Sequence, residues 1–230
     1  MPRHFSGVSP ARTGAPWRSI PAAPPRRQAL GWLLAGAAAL PLGLTGCDRL
    51  APAGQASAAP FKGIDITGAT YARDFQLTDF DGQPRRLSDF KGRVVMLYFG
   101  FVQCPDVCPT ALSRAAAVKQ QLGPAAADLQ VIFVTVDPER DTPALLRDYM
   151  AAFDPSFLAL TGSAEAIQAT AAEFRAYYKK VPTGSTYTMD HTALSYVFDR
   201  QGRIRVVLRH EQSADDYAAD IRRLLAEPLA

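Results

Sequence analysis

Two cysteines, Cys104 and Cys108, stand in the stretch FGFVQCPDVCPTAL with three residues between them, one more than the Cys-x-x-Cys spacing of dithiol redox motifs. Paired thiols support two chemistries. One is thiol–disulfide exchange, in which a thiolate attacks a disulfide sulfur. The other is capture of a soft metal ion: two thiolates suit Cu(I), and an added imidazole makes a set of two sulfurs and one nitrogen that can also hold Cu(II). A structural zinc site asks for four protein donors, and the chain does not offer four at finger spacing. Two structural cysteines, or a passive bridge, are the plainer alternative. The flanking Pro105 and Pro109 favour a working pair, since they stiffen the segment and are expected to keep regular helix out of it.

The candidate nitrogen is His191 or His210. His210 lies in LRHEQS, a polar stretch at the end of an apolar run, and reads as solvated. His191 lies in YTMDHTALSYVFD, immediately ahead of an apolar run; a ligand and an ordinary polar loop residue are both compatible with that position. Asp190 beside it could accept a ring N–H and orient the imidazole, or could be a simple turn residue. Asp137 closes the apolar run LQVIFVTVD and reads either as an edge carboxylate near the cysteines or as a cap.

These residues need elements to position them. RVVMLYFGF and LQVIFVTVD are continuous apolar runs rich in β-branched and aromatic residues, the pattern of strands buried on both faces. Asp81-Gly82 inside FQLTDFDGQPRRLSDF predicts a hairpin. The composition predicts a helix over 110–122, stopped at Gly123-Pro124, and another from Asp141-Thr142-Pro143 to about Phe153, with a capping residue ahead of a first-turn proline. A short strand at 157–160 and an amphipathic helix capped by Ser163 follow. KKVPTGSTYTMDHT reads as a polar loop, LSYVFDRQGRIRVVL as a hairpin turning at Gln201-Gly202, and 213–225 as a last helix. Buried strands joined by helices, then an antiparallel hairpin and a final helix, predict an α/β thioredoxin-like sandwich with an added N-terminal β-hairpin and an inserted middle segment. In that architecture the cysteine segment sits at the carboxyl edge of the sheet, just ahead of a helix N-terminus whose N–H groups favour a thiolate. His191 falls where thioredoxins carry a proline; the nearest one here is Pro182.

The start of the chain has a different character. Arg26 and Arg27 precede an 18-residue Leu/Ala/Gly-rich run, Ala29 to Gly46, interrupted by Pro41 and four glycines. The basic flank, apolar run and small residues read as an export signal, and LTGC (residues 44–47) resembles a bacterial lipobox, with Cys47 as the acylated first residue. A retained signal-anchor helix is the alternative. Asp48 after the cysteine implies, by resemblance to lipoprotein sorting, retention at the periplasmic face of the inner membrane. Residues 48–70 are rich in Ala, Pro and Gly and read as a tether. The expected organisation is therefore an export signal over 1–46, anchor cysteine and tether over 47–70, and one folded domain over 71–230. The whole chain carries a net charge of +3, but residues 1–46 hold five arginines and no acid, leaving 20 basic and 22 acidic residues, a net −2, in the rest. Nothing in that balance argues for nucleic-acid binding. One close pair of cysteines in an exported domain does not make a disulfide scaffold.

CPDVCPT, VTVDPERDTP and DHTALSYVFD, in this order over residues 104–199, together resemble the Sco/SenC family of copper-binding assembly proteins for cytochrome c oxidase, and the likeness extends to about residues 71–227. The resemblance implies copper held by Cys104, Cys108 and His191; with Asp190 and Asp137 as candidate outer residues from their positions, the reading is a membrane-tethered metallochaperone whose partner is oxidase subunit II or another copper-accepting protein. Such a protein turns over no covalent substrate. The alternatives are a thiol–disulfide oxidoreductase that uses Cys104 and Cys108 to reduce the partner's copper-ligand cysteines, and a copper or redox sensor. A peroxide-reducing enzyme fits less well, because Thr110 and Arg114 follow the cysteines where an activating threonine and arginine would precede them. Many family members carry a transmembrane anchor where this chain offers a lipobox.

Overall fold

The two apolar runs form the middle of a sheet because each has side chains for both of its faces. The computed structural model describes residues 60–229; the export signal, Cys47 and most of the expected tether lie outside them. The described elements run β1 (Ile64–Asp65), β2 (Leu77–Asp79), β3 (Pro84–Arg85), β4 (Val94–Gly100), α1 (Val107–Leu122), β5 (Leu129–Thr135), α2 (Pro143–Ala151), β6 (Leu158–Thr161), α3 (Ala164–Glu173), β7 (Tyr178–Thr183), β8 (Thr186–His191), β9 (Leu194–Phe198), β10 (Ile204–Arg209) and α4 (Ala214–Ala226). β4 and β5 pair in parallel from Val94↔Leu129 to Gly100↔Thr135, and every residue of both is buried. β9 and β10 add antiparallel on the far side of β4, giving the order β1-β10-β9-β4-β5-β6-β2-β3. This is the expected thioredoxin-like α/β sandwich, and β2 and β3 form the expected N-terminal hairpin.

Burying both faces takes helices on both sides. α1 and α4 pack together over the face that carries Tyr98 and Gly100. On the opposite face Phe174, capping α3, meets the rings of Phe99, Tyr196 and Phe198 at 5.4–5.9 Å between centroids. Such aromatic contacts add about 0.5–1.5 kcal/mol each to the area they bury.

Three sequence expectations are corrected. The polar loop of 179–192 is a regular two-stranded ribbon, β7 with β8, paired from Tyr178↔His191 to Thr183↔Thr186. It is polar because it stands off the main sheet as a separate ribbon and turns little besides Met189 into the core, which also explains how Pro182 is tolerated. The helix that follows the cysteines starts at Val107, not 110. Pro109 lies in its first turn, where the missing N–H has no intrahelical acceptor in any case. The fold also reaches further back than residue 71. Phe61 is buried under Arg205 and Arg223, β1 pairs with β10, and the Asp220 carboxylate accepts the N–H groups of Lys62 and Gly63 at 2.8 Å each. Gly63 belongs there because a Cβ would come within 2.6 Å of Val206 Cγ1 and 2.8 Å of the Val207 carbonyl.

The β2–β3 turn shows how the hairpin is fixed. Asp79, 1% exposed, accepts from the N–H groups of Asp81 and Gln83 at 2.9 Å and from Arg85 Nε at 2.7 Å. Burial pushes the Asp79 carboxyl up, but the Gln83 N–H, the Arg85 guanidinium and the Asp81 N–H outweigh it, and the net displacement is downward from 3.8. A carboxyl depressed by folding contributes stability above its unfolded value and loses it as pH falls through the folded one. Asp79→Ala, which strands two N–H groups and a guanidinium, is expected to cost about 1–3 kcal/mol in urea unfolding at pH 7. Asp79→Asn should flatten the loss of stability below about pH 4, and an unchanged acid limb would remove Asp79 from that account.

Candidate metal centre

Cys104 ends the turn that leaves β4, its N–H donating to the Phe101 carbonyl at 3.2 Å. Cys108 sits in the first turn of α1, fully buried. The helix has no side-chain cap from Asp106. The Cys104 sulfur takes that role, accepting the Cys108 N–H at 3.4 Å. One residue more than Cys-x-x-Cys therefore lets the first sulfur lie over the helix N-terminus while the second lies inside its first turn. Gly100, at the end of β4, makes this possible: a Cβ there would stand 2.8 Å from Cys108 Sγ and 2.6 Å from the Phe133 ring.

His191 closes β8 and faces the same point. Its Nε2 is 3.4 Å from Cys108 Sγ and 4.0 Å from Cys104 Sγ. Its Nδ1 is 3.2 Å from the Thr192 carbonyl oxygen, a contact that calls for the proton on Nδ1 and turns Nε2 toward the sulfurs. Edge-on contacts with Phe101 at 5.7 Å and Tyr98 at 6.0 Å between centroids hold the ring plane. The three donor atoms all lie within 4.8 Å of one another. A single ion bonded at about 2.0–2.3 Å to nitrogen and sulfur donors needs this span, so the donor set and its spacing fit a soft metal. His210 is not part of the group, as the sequence suggested.

The two thiols differ in charge. A hydrogen bond from Cys108 lowers the Cys104 thiol most; burial opposes it, and His191 with the N–H groups of Asp106 and Cys108 brings it down to about 4. Burial pushes the Cys108 thiol up, and the neighbouring Cys104 sulfur adds to that. At neutral pH the pair is one thiolate and one thiol.

Neither aspartate touches this group directly. Asp190 is exposed and makes no hydrogen bond to His191; the Thr192 carbonyl has the orienting role expected of it. Asp137 is buried and anchors the ribbon. Its carboxylate accepts from Arg140 Nε and, at 2.8 Å, from the Tyr187 hydroxyl on β8. Arg140 stacks 3.7 Å from the centre of the Tyr187 ring and donates from Nη1 to the Tyr187 carbonyl at 2.8 Å and to Gln103 Oε1 at 3.1 Å. Lys180 lies 4.2 Å from the same ring centre and pairs with Glu139. One arginine thus joins the segment after β5, the cysteine loop and the ribbon that carries His191. Gly100, Arg140 and Tyr187 were not singled out from the sequence. ERD inside VTVDPERDTP held the arginine, but nothing local to it indicates a partner 47 residues away.

Two measurements test this geometry. Alkylation of Cys104 should run at a rate nearly independent of pH between 6 and 8, since a thiol with its pKa lowered to about 4 is already ionised there. A rate rising about tenfold per pH unit, as for an ordinary thiol, would contradict it. Arg140→Ala should speed amide hydrogen exchange across 178–191 by about tenfold or more while leaving β4 and β5 protected. Uniform loss of protection would mean that Arg140 supports the whole fold instead.

Known proteins share this arrangement to a measurable extent. The chain is 35% identical over 133 residues to a SCO2-like protein of Rickettsia felis, covering 56% of this chain and 65% of that one. It is 39% identical over 157 residues to the mitochondrial SCO2 homolog of Bos taurus, covering 66% and 59%. The match thus spans about 59–65% of the length of these relatives. Among solved structures, Bradyrhizobium japonicum ScoI with copper bound is 41% identical, covers 66% of this chain and 97% of that one, and superposes with a TM-score of 0.61. Residues 65–226 match the SCO1/SenC family model, and the chain belongs to that family.

Proposed function

We propose that this protein is a membrane-tethered copper metallochaperone that holds one copper ion through Cys104, Cys108 and His191 and passes it to a copper-accepting partner. The observation that carries this reading is the convergence of two sulfurs and one imidazole nitrogen within 4.8 Å, a set soft enough for Cu(I) and sufficient for Cu(II). A relative seen with copper supports it. The cleft in front of the donors, lined by Pro105, Asp106, Val107, Asp190 and Ala193 among others, leaves them open on one side. A partner's ligands can then replace these one at a time. The donors stay on their elements while bonds to copper exchange, so transfer needs no covalent chemistry from this chain. Uptake does require Cys108 to surrender a proton, because a coordinating thiol binds as thiolate.

The acceptor would be cytochrome c oxidase subunit II, with its binuclear copper centre, or another copper-accepting protein. Acylation at Cys47 would hold the domain at the periplasmic face of the inner membrane, with the segment between Cys47 and Phe61 as tether. Among the described residues no helix is long and apolar enough to cross a membrane.

A second reading has its own supporting observation. One thiolate beside one thiol is the state from which thiol–disulfide exchange starts, so the pair could reduce the partner's cysteines before metal arrives. His191 separates the two roles, since reduction tolerates its loss and metal holding does not.

Metal analysis and visible absorption of the reduced protein test the reading. The expected result is one copper per chain with a thiolate-to-Cu(II) band that His191→Ala abolishes. Cys104→Ser should lower copper affinity by more than the roughly 10–100-fold that loss of an outer partner costs at metal sites. Stoichiometry and affinity unchanged in both variants would overturn the three-donor site. No stoichiometric copper in the parent, with a readily reduced Cys104–Cys108 disulfide instead, would establish the reductase.

A further inference from the structure

A third sulfur-bearing side chain, Met189, lines the cleft in front of the donors. Along β8 the side chains of Tyr187, Met189 and His191 leave the same face of the ribbon, because alternate residues of a strand do. Met189 is only 7% exposed, whereas its neighbour Asp190 is exposed. The cleft of about 320 Å³ lined by Cys104 and His191 is lined by Met189 as well, along with Phe101 and Val107. That volume is many times what one ion occupies, so three donors at its edge leave room for another side chain to approach. The backbone on either side of Met189 is held: Tyr187 by Arg140 and Asp137, His191 by its ring contacts. All three methionines of the described residues pack in the core, but only Met189 also lines this cleft; Met96 and Met150 do not. Packing alone asks only for an apolar side chain of this size, which leucine would supply. A thioether adds a neutral soft donor next to two thiolates, and such a donor favours Cu(I) over Cu(II).

We propose that Met189 is an auxiliary copper donor, its thioether completing a three-sulfur set with Cys104 and Cys108 for Cu(I), while His191 completes the set for Cu(II). The inference rests on the copper reading of the preceding subsection. No electron or proton moves when one neutral donor replaces the other: the Nε2–copper bond breaks and the sulfur–copper bond forms. Such an exchange keeps Cu(I) three-coordinate while the imidazole side of the cleft is free for an incoming partner ligand.

The test uses the reduced full chain, labelled with ¹³C at the methionine methyl groups and titrated with Cu(I), together with Met189→Leu. The Met189 methyl resonance should shift on Cu(I) addition while those of Met96 and Met150 stay in place. Met189→Leu should keep the thiolate-to-Cu(II) band but lose about tenfold or more in Cu(I) affinity against a chromogenic Cu(I) chelator, the lower end of the range for partners at metal sites. In a His191→Ala background, which removes the imidazole, Met189→Leu should cost at least as much. Stoichiometric copper with equal Cu(I) affinity in parent and Met189→Leu would overturn the auxiliary donor and leave the three-donor reading standing. Absence of stoichiometric copper in the parent would overturn both.

Discussion

A helix N-terminus set against the end of a buried parallel strand is the constraint from which the site follows. β4 is covered on both faces and cannot shift, so the point where its chain emerges is fixed. α1 begins seven residues later, its first N–H groups without intrahelical acceptors. The Cys104 sulfur meets that need and is held as an anion by it. Cys108, one turn in, is pressed so close to β4 that only glycine fits at position 100. The asymmetry of the two thiols is thus a consequence of where strand and helix meet: one sulfur lies among N–H donors, the other in an apolar interior.

The third donor arrives by a separate route. The β7–β8 ribbon is polar on most of its surface and buries too little apolar area to place itself. Polar contacts to the segment after β5 fix it instead. Arg140 is 17% exposed and Asp137 2%, so their pairing occurs where water screens little, and an unpaired partner there is costly. Breaking the pair would leave a buried carboxylate with the Tyr187 hydroxyl alone. Asp137 therefore acts on the site through the backbone that bears His191, not through contact with a metal.

Much of this could be read from residues in order. Val94–Phe101 and Leu129–Val136 are apolar without alternation, and a strand covered on both faces is the only element of that length such runs make in a small α/β domain. Asp81-Gly82 and Gln201-Gly202 marked turns because Gly82 and Gly202 need positive φ, at 80° and 81°. The cysteine pair announced its own chemistry. Its partner did so only in part: one histidine in a polar segment has no periodicity to place it, and His191 was preferred to His210 by its position ahead of an apolar run before the resemblance assigned it a role. The ribbon was missed because alternation was sought in apolar residues, and this ribbon has few. Gly184-Ser185, flanked by Thr183 and Thr186, was the available signal. Pro109 was read as a helix breaker because local propensity does not show which N–H groups will lack a partner anyway. Asp190 was misplaced for a related reason: adjacency in sequence puts two strand residues on opposite faces.

The same geometry that suits metal capture also suits thiol exchange, and the two are not in competition at the level of the fold. Each needs one sulfur ionised and reachable, and Cys104 is that sulfur, 8% exposed at the cleft while Cys108 has no exposure. They differ in what happens to the Cys108 proton. In exchange it stays until a disulfide forms; in metal capture it leaves as the ion arrives, and the ion's charge replaces it in a site too dry to hold two bare thiolates. Burial of Cys108 therefore makes the dithiol stable when empty and ties full ionisation to the presence of a cation. His191, its Nε2 already turned toward both sulfurs, is dispensable for exchange but, on the copper reading, completes the coordination set. On that reading it is the residue through which a shared dithiol scaffold would become a metal site.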